Sequence, residues 1–271
     1  MNWHETIEHI REDTAYRQDV EEAYLSADLI ANVEKFRYSA EFKETLKLLS
    51  SLNISKNATL LDVGAGNGIS SIAFALEGYK VTALEPDTSD TIGAGAIAQL
   101  KEEYGLHQMT IESTYGEDMP FENEIFDIAY ARQCMHHAYD LREFTKSIYR
   151  VVKPGGVLLT VRDHVVSDDA EKQIFLEKHP LHKFYGGENA FTLEQYKGAI
   201  ADAGFKFEKI IAPADSVINY SPWNRQRVNA ILKQKLGAWA ANRVFIGLSW
   251  YVLKYRLNRL PGRLYSFAAK K

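Results

Sequence analysis

The feature that most constrains this chain is an alternation. Between residues 59 and 161, short β-rich runs take turns with helical stretches. A chain that does so repeatedly builds a parallel sheet covered by helices on both faces. The spacing predicts strands at 59–63, 80–84, 109–112, 126–130 and 156–161, and helices at about 69–77, 91–104, 141–152 and 193–203. Gly78 and Gly105 close the first two helices, and Pro154-Gly155-Gly156 turns the third into its strand. A sixth strand is expected around 205–212 and a last short one near 263–268. The expected fold class is therefore α/β, a doubly wound sheet.

Both ends of the chain extend this core. Residues 1–55 place Tyr24, Leu25, Leu29 and Ile30, then Phe42, Leu46 and Leu49, at helical spacing and read as a helical lid. Residues 56–215 form the core, 216–262 a helical insertion, and 263–271 the final strand. The insertion has its own electrostatic character: residues 216–271 hold eleven of the 32 Lys and Arg and none of the 36 Asp and Glu. Between Trp223 and Arg259 these cations are interleaved with Trp239, Phe245, Trp250, Tyr251 and Tyr255. The apolar run 236–253 is long enough to span a bilayer, but Arg243 near its centre opposes that. Helices capping an acceptor cleft, or joining a homodimer, are one reading of the segment. Peripheral contact with an anionic membrane through 223–259 is another, and nucleic acid is the least favoured partner. Cys134 is the single cysteine, which rules out an intrachain disulfide. The first twenty residues have no apolar core of the kind a secretion signal needs, so a cytoplasmic location is expected, peripheral at the membrane's inner face only on the membrane reading of 223–259.

The stretch Leu60-Leu61-Asp62-Val63-Gly64-Ala65-Gly66-Asn67-Gly68-Ile69 joins the first strand to a helix whose apolar face is Ile69, Ile72, Ala73 and Leu76. Glycines at the carboxyl edge of such a sheet let the backbone turn sharply and approach a ligand that any Cβ would exclude. A dinucleotide fingerprint would need glycine at position 69, where this chain has Ile69. Asp62 sharpens the distinction, because a carboxylate there repels a pyrophosphate but can receive the ammonium of an amino acid cofactor. That selects S-adenosylmethionine. Seventeen residues beyond Gly68 the second strand ends at Glu85-Pro86, where an acid can accept both ribose hydroxyls.

Four segments, LDVGAGNG (61–68), ALEPD (83–87), EDMPFENEIFDIAYA (117–131) and YRVVKPGGVLLTV (149–161), resemble in order and spacing the class I methyltransferase family and its ubiquinone-methylase-like branch. The resemblance runs over about residues 59–212 and implies a Rossmann-like methyltransferase sheet with bound S-adenosylmethionine. It implies that Gly64 and Gly66 pack against the cofactor's amino acid end, that Asp62 holds its ammonium, that Glu85 holds the ribose, and that Ala65, Gly68 and Pro86 belong to the same cofactor-binding set. Gly116 and Glu117 then flank adenine. Many relatives have Asp where this chain has Tyr115, so Tyr115 is expected to stack on the base instead. Arg132 follows the fourth strand and should lie near the sulfonium.

The acceptor side is read from Arg162-Asp163-His164 and from His179-Pro180-Leu181-His182-Lys183-Phe184-Tyr185-Gly186-Gly187-Glu188-Asn189. Polar residues so dense in a loop at strand tips suit chemistry, although a loop whose histidines satisfy backbone groups would look the same. Transfer to a hydroxyl needs a proton acceptor, and the candidates are His164, His182 and His136, in that order, with Asp163 or Glu188 orienting the ring. His137 reads as structural. A metal-independent site is expected, with Asp163, His164 and His182 as the ligands of a second, divalent-metal reading. The expected reaction is O-methylation of a saccharide or lipid-linked saccharide, on a looser likeness to methyltransferases of bacterial surface-glycan pathways. A small metabolite or tRNA base as acceptor, or a non-catalytic cofactor-binding protein, are the alternatives.

Overall fold

The computed structural model describes residues 1, 3–237 and 243–271. Four helices come first: α1 (Trp3–Glu12), α2 (Arg17–Glu22), α3 (Leu29–Arg37) and α4 (Ala40–Ser51). The alternating region follows as β1 (Thr59–Val63), α5 (Ile69–Leu76), β2 (Lys80–Leu84), α6 (Ala94–Glu103), β3 (Thr110–Glu112), β4 (Phe126–Arg132), α7 (Leu141–Val151) and β5 (Val152–Val166). Then come α8 (Asp169–Lys178), α9 (Pro180–Phe184), β6 (Phe191–Thr192), α10 (Leu193–Asp202), β7 (Lys206–Ile211), α11 (Val217–Tyr220), α12 (Arg225–Leu236), α13 (Arg243–Leu257) and β8 (Arg263–Lys270).

The strands form one sheet in the order β3-β2-β1-β4-β5-β8-β7, with β6 pairing off this path to the far end of β5. β1 to β5 run parallel, and β8 returns antiparallel between β5 and β7. The order reverses between β1 and β4, so the loops leaving those two strands diverge and open a crevice at their carboxyl ends.

Strand alternation sends the two faces into separate cores. Leu60, Val81, Ile128, Tyr130 and Leu159 pack under α3, α4 and α5, whereas Leu61, Leu84, Ala129 and Leu158 pack under α7 and α10. On the first face Phe74 sits edge-on to Phe42, Tyr79 and Tyr130 at 5.0, 5.3 and 4.9 Å.

Two features differ from the sequence expectation. Only α1 and α2 resemble a lid, resting through Ile7, Ile10 and Val20 on Ile92, Leu181 and Phe184; α3 and α4 bury Val33, Phe36, Phe42 and Leu49 in the main core. The segment read as a polar loop beyond β5 contains α8, capped by the Asp168 side chain on the Glu171 amide at 2.8 Å, and α9, opened by Pro180. The helical insertion contains α12 and α13, and Trp239 lies outside the described residues. Among the described residues no helix is long and apolar enough to cross a membrane.

Because Phe74 is fully buried among three other rings, Phe74→Ala is expected to cost about 3–5 kcal/mol of stability, read as a lower urea midpoint.

Candidate functional site

The turn after β1 is held against β2. The amides of Gly64 and Ala65 both donate to the Leu84 carbonyl, at 2.9 and 3.1 Å, and Gly64, Gly66 and Gly68 adopt φ of +65°, +56° and +83°. A Cβ on Gly64 would lie 2.3 Å from Cys134 Sγ, so no other residue fits there without moving the β4 loop. Gly68 opens α5, and Ala65 is buried beside it.

Two buried carboxylates brace this turn. Glu85 Oε2 accepts the Gly66 amide at 2.6 Å, and Oε1 accepts the Asp87 amide at 3.0 Å just past the exposed Pro86. Asp62 Oδ2 accepts the hydroxyls of Ser70 and Ser71 at 2.6 and 2.5 Å, while its buried Oδ1 has no partner among the described residues. Burial lifts the Asp62 pKa to about 6 despite the two hydroxyls, and lifts Glu85 to about 7 despite the two amides. The serines were not foreseen, although they flank Ile69 and Ile72 on the helix that the loop opens.

A cavity of about 320 Å³ begins at this turn, lined by Gly64, Ala65, Gly66, Asn67 and Ser70 and roofed by Ile10, Tyr16 and Leu25 of the N-terminal region. Asp62 lies one layer beneath that wall and reaches it through Ser70. A glycine cradle, an unpartnered buried carboxylate oxygen and an acid at the next strand tip fit a ligand with a cationic amino acid end and a diol.

Glu85 also joins the next strand, its amide donating to the Glu112 carbonyl at 3.0 Å, which sets the β3 exit beside it. Tyr115 there is 54% exposed and edge-on to Tyr139. Gly116 packs on Phe144, and Glu117 Oε1 accepts the Tyr139 amide at 2.9 Å.

Arg132 borders the cavity, but its guanidinium is matched by Glu41 of α4, Nε to Oε1 at 2.6 Å and Nη2 to Oε2 at 3.2 Å. Arg162 Nη1 lies 3.6 Å from the same carboxylate. The expected place of Arg132 near a sulfonium is thus qualified: its charge ties α4 to β4, and no free guanidinium is offered there.

The opposite wall is a histidine and carboxylate cluster. His136, on the turn after β4, places Nδ1 3.1 Å from Asp163 Oδ1 and Nε2 3.5 Å from Glu188 Oε2, with all three residues buried. Burial alone would depress the His136 pKa, yet the two carboxylates outweigh it and raise it to about 9. His164 stands 4.7 Å from His136, ring centre to ring centre, and its Nδ1 is 2.8 Å from the Gly262 carbonyl. A carbonyl only accepts, so Nδ1 carries the proton and Nε2 keeps its lone pair. Burial, and then the neighbouring His136, hold His164 well below the usual histidine pKa.

Four of the five residues expected on the acceptor side therefore meet: His136, His164, Asp163 and Glu188. His182 does not join them. It lies on α9 against a shallow depression lined by Asp169, Lys172 and Glu177. His137 and His179, read as structural or not singled out, line the cavity instead.

A methyltransferase domain family matches residues 61–160. Over those residues the chain is similar to class I S-adenosylmethionine-dependent methyltransferases. S-adenosylmethionine is the cofactor of that family. An uncharacterized methyltransferase, YcgJ of Bacillus subtilis, is 28% identical over 51% of this chain and 54% of its own length. A ubiquinone biosynthesis O-methyltransferase of Pseudomonas putida W619 is 36% identical over 36% of this chain and 40% of its own. The chain thus spans about half or less of these curated relatives. A geranyl diphosphate methyltransferase solved in complex with SAM superposes with a TM-score of 0.59 at 18% identity, covering 99% of this chain and 95% of that one, a likeness of fold. None of the three is named for a saccharide acceptor.

The raised pKa values set a pH dependence for cofactor binding. Glu85 takes up a proton below about pH 7 and Asp62 below about pH 6 in the ligand-free fold, and a diol and an ammonium held at these acids would need both as anions. Affinity for S-adenosylmethionine, measured by calorimetry, is expected to be highest above pH 7 and to fall about tenfold per pH unit per protonated group below it.

Proposed function

We propose that this chain methylates a hydroxyl of a small polyhydroxylated acceptor, of saccharide type, held between the glycine turn and the histidine and carboxylate cluster. The observation that carries the reading is that one cavity has both as its walls. The cofactor would be held by the turn at 64–68, by Asp62 and Glu85 at its amino acid and ribose ends, and by Tyr115, Gly116 and Glu117 at adenine. Bound there, it supplies an electrophilic methyl group.

The chain's part is to hold the acceptor oxygen in line and to relieve it of its proton. His164 is the member of the cluster suited to activating that hydroxyl, since Gly262 fixes its Nδ1 proton and leaves Nε2 basic. Asp163 fixes His136 in turn, and Glu188 closes the set. The apolar roof of Ile10, Leu25 and Ile92 keeps water from competing with the acceptor. A wall with several polar donors and acceptors suits a substrate with several hydroxyls, and one named relative is itself an O-methyltransferase.

His164→Ala should lower turnover by about 10²- to 10⁴-fold while leaving S-adenosylmethionine affinity unchanged. The check is release of S-adenosylhomocysteine across glycan, lipid-linked glycan, small-metabolite and tRNA fractions. Turnover confined to a nitrogen nucleophile, or undiminished in the variant, would refute the reading.

We further infer that the outer face of α13 rests on an anionic membrane surface. Leu248, Tyr251, Val252 and Tyr255 form one stripe, 59%, 69%, 43% and 51% exposed, while Trp250 on the other side packs edge-on against Tyr220. Lys254, Arg256 and Arg259 border it, and residues 216–271 contain no acid to offset them. The chain should co-sediment with phosphatidylglycerol vesicles, less so at high salt or as Tyr251→Ser. Equal binding to neutral vesicles, or none at low salt, would refute this.

A further inference from the structure

The histidines of the cluster share a geometry that proton transfer alone does not require. His136 directs Nδ1 to Asp163 at 3.1 Å, His164 directs Nδ1 to the Gly262 carbonyl at 2.8 Å, and His137 directs Nδ1 to the Gly187 carbonyl at 3.2 Å. Each ring is thereby locked in the tautomer that leaves Nε2 for another partner. A carboxylate or carbonyl behind each imidazole is the support that metal-binding histidines use to fix ring orientation and strengthen the donor nitrogen.

The front side converges as well. One ligand atom from each of His136, His164 and Glu188 lies within 4.8 Å of the other two. Donors about 2.1 Å from a tetrahedral ion sit about 3.4 Å apart, and His136 Nε2 is 3.5 Å from Glu188 Oε2. The three come from separate segments, the turn after β4, strand β5 and the stretch before β6, so the fold must bring them together. Charge points the same way. Asp163 and Glu188 are buried, and among the described residues neither has a Lys or Arg within ion-pair distance. One proton on His136 balances one of these carboxylates, whereas a dication balances both.

We propose that His136, His164 and Glu188 bind a divalent transition metal, with Asp163 and Gly262 as the supports behind the two imidazoles. Two imidazole nitrogens and one carboxylate favour Mn²⁺, Fe²⁺, Co²⁺, Ni²⁺ or Zn²⁺ over Mg²⁺ and Ca²⁺, which prefer oxygen throughout. All three ligands line the cavity, so the remaining coordination positions face the acceptor. A vicinal diol fits such positions, and His164 then activates the hydroxyl through the ion rather than by direct contact. That catalytic part rests on the function proposed above; binding of the ion does not.

The test uses the full chain, stripped with chelator and titrated with Co²⁺ and Zn²⁺. One Co²⁺ per chain, displaced by Zn²⁺ and giving the visible absorption of nitrogen-ligated cobalt, is expected. Glu188→Gln and His164→Ala should each weaken Co²⁺ binding about 10²-fold while S-adenosylhomocysteine affinity, which reports the intact glycine turn, stays constant. His182→Ala should bind Co²⁺ as the parent does. No stoichiometric ion, unchanged binding in both ligand variants, or loss of binding in His182→Ala alone would overturn the site. Turnover at full rate in the stripped chain would overturn the ion's catalytic part and leave the methyl-transfer reading standing. One bound ion without turnover on any acceptor would support the site and count against that reading alone.

Discussion

A buried carboxylate accepting a glycine amide is the contact on which the rest of the site depends. Glu85 Oε2 meets the Gly66 amide at 2.6 Å, and the Glu85 backbone amide is itself bonded to β3. That one residue therefore fixes the apex of the turn after β1 to the tips of the next two strands. Keeping the carboxylate out of water is unfavourable, as its raised pKa shows, and two amide donors only partly offset the loss of solvent. A strained acid of this kind gains most from a ligand that brings it further donors.

The sheet order divides the work along its edge. Strands β1, β2 and β3 lie on one side of the reversal and carry the glycine turn, Glu85 and Tyr115, while β4 and β5 lie on the other and carry His136, Asp163 and His164. The glycine turn and the histidine and carboxylate cluster thus form opposite walls of one cavity, on the two sides of the crevice between β1 and β4. The Glu41 pairing with Arg132 anchors α4 to the middle of that edge. Asn67 reaches up to the Tyr24 carbonyl at 2.7 Å and ties the glycine turn to the chain that roofs it.

What could be read from the sequence was what short spacings encode. The strand, glycine turn and helix at 59–76 and the acid at Glu85 lie within a few tens of residues of one another, and their chemistry is set by local backbone geometry. The same holds for the alternation that fixes the sheet. What escaped depends on contacts between distant segments. Glu41 looks like any surface acid of an amphipathic helix until Arg132 is brought to it across 91 residues. Glu188 finds His136 only because α8 and α9 fold the intervening chain back over β5. His182 and Glu188 are neighbours in sequence with similar polarity, and only the helical turn at α9 sends them to different places. Strand β5 runs to Val166, past the expected 161, because β8 pairs with its outer half from the other end of the chain.

The central claim is that a glycine turn braced by a buried acid holds a sulfonium nucleoside. Calorimetric titration of the full chain with S-adenosylmethionine, beside the Glu85→Ala variant, tests it most directly. The account requires one cofactor per parent chain and a loss of about tenfold or more in the variant, the worth of hydrogen bonds to a charged acceptor. Equal affinity in the two proteins, or no heat of binding in the parent, would contradict it.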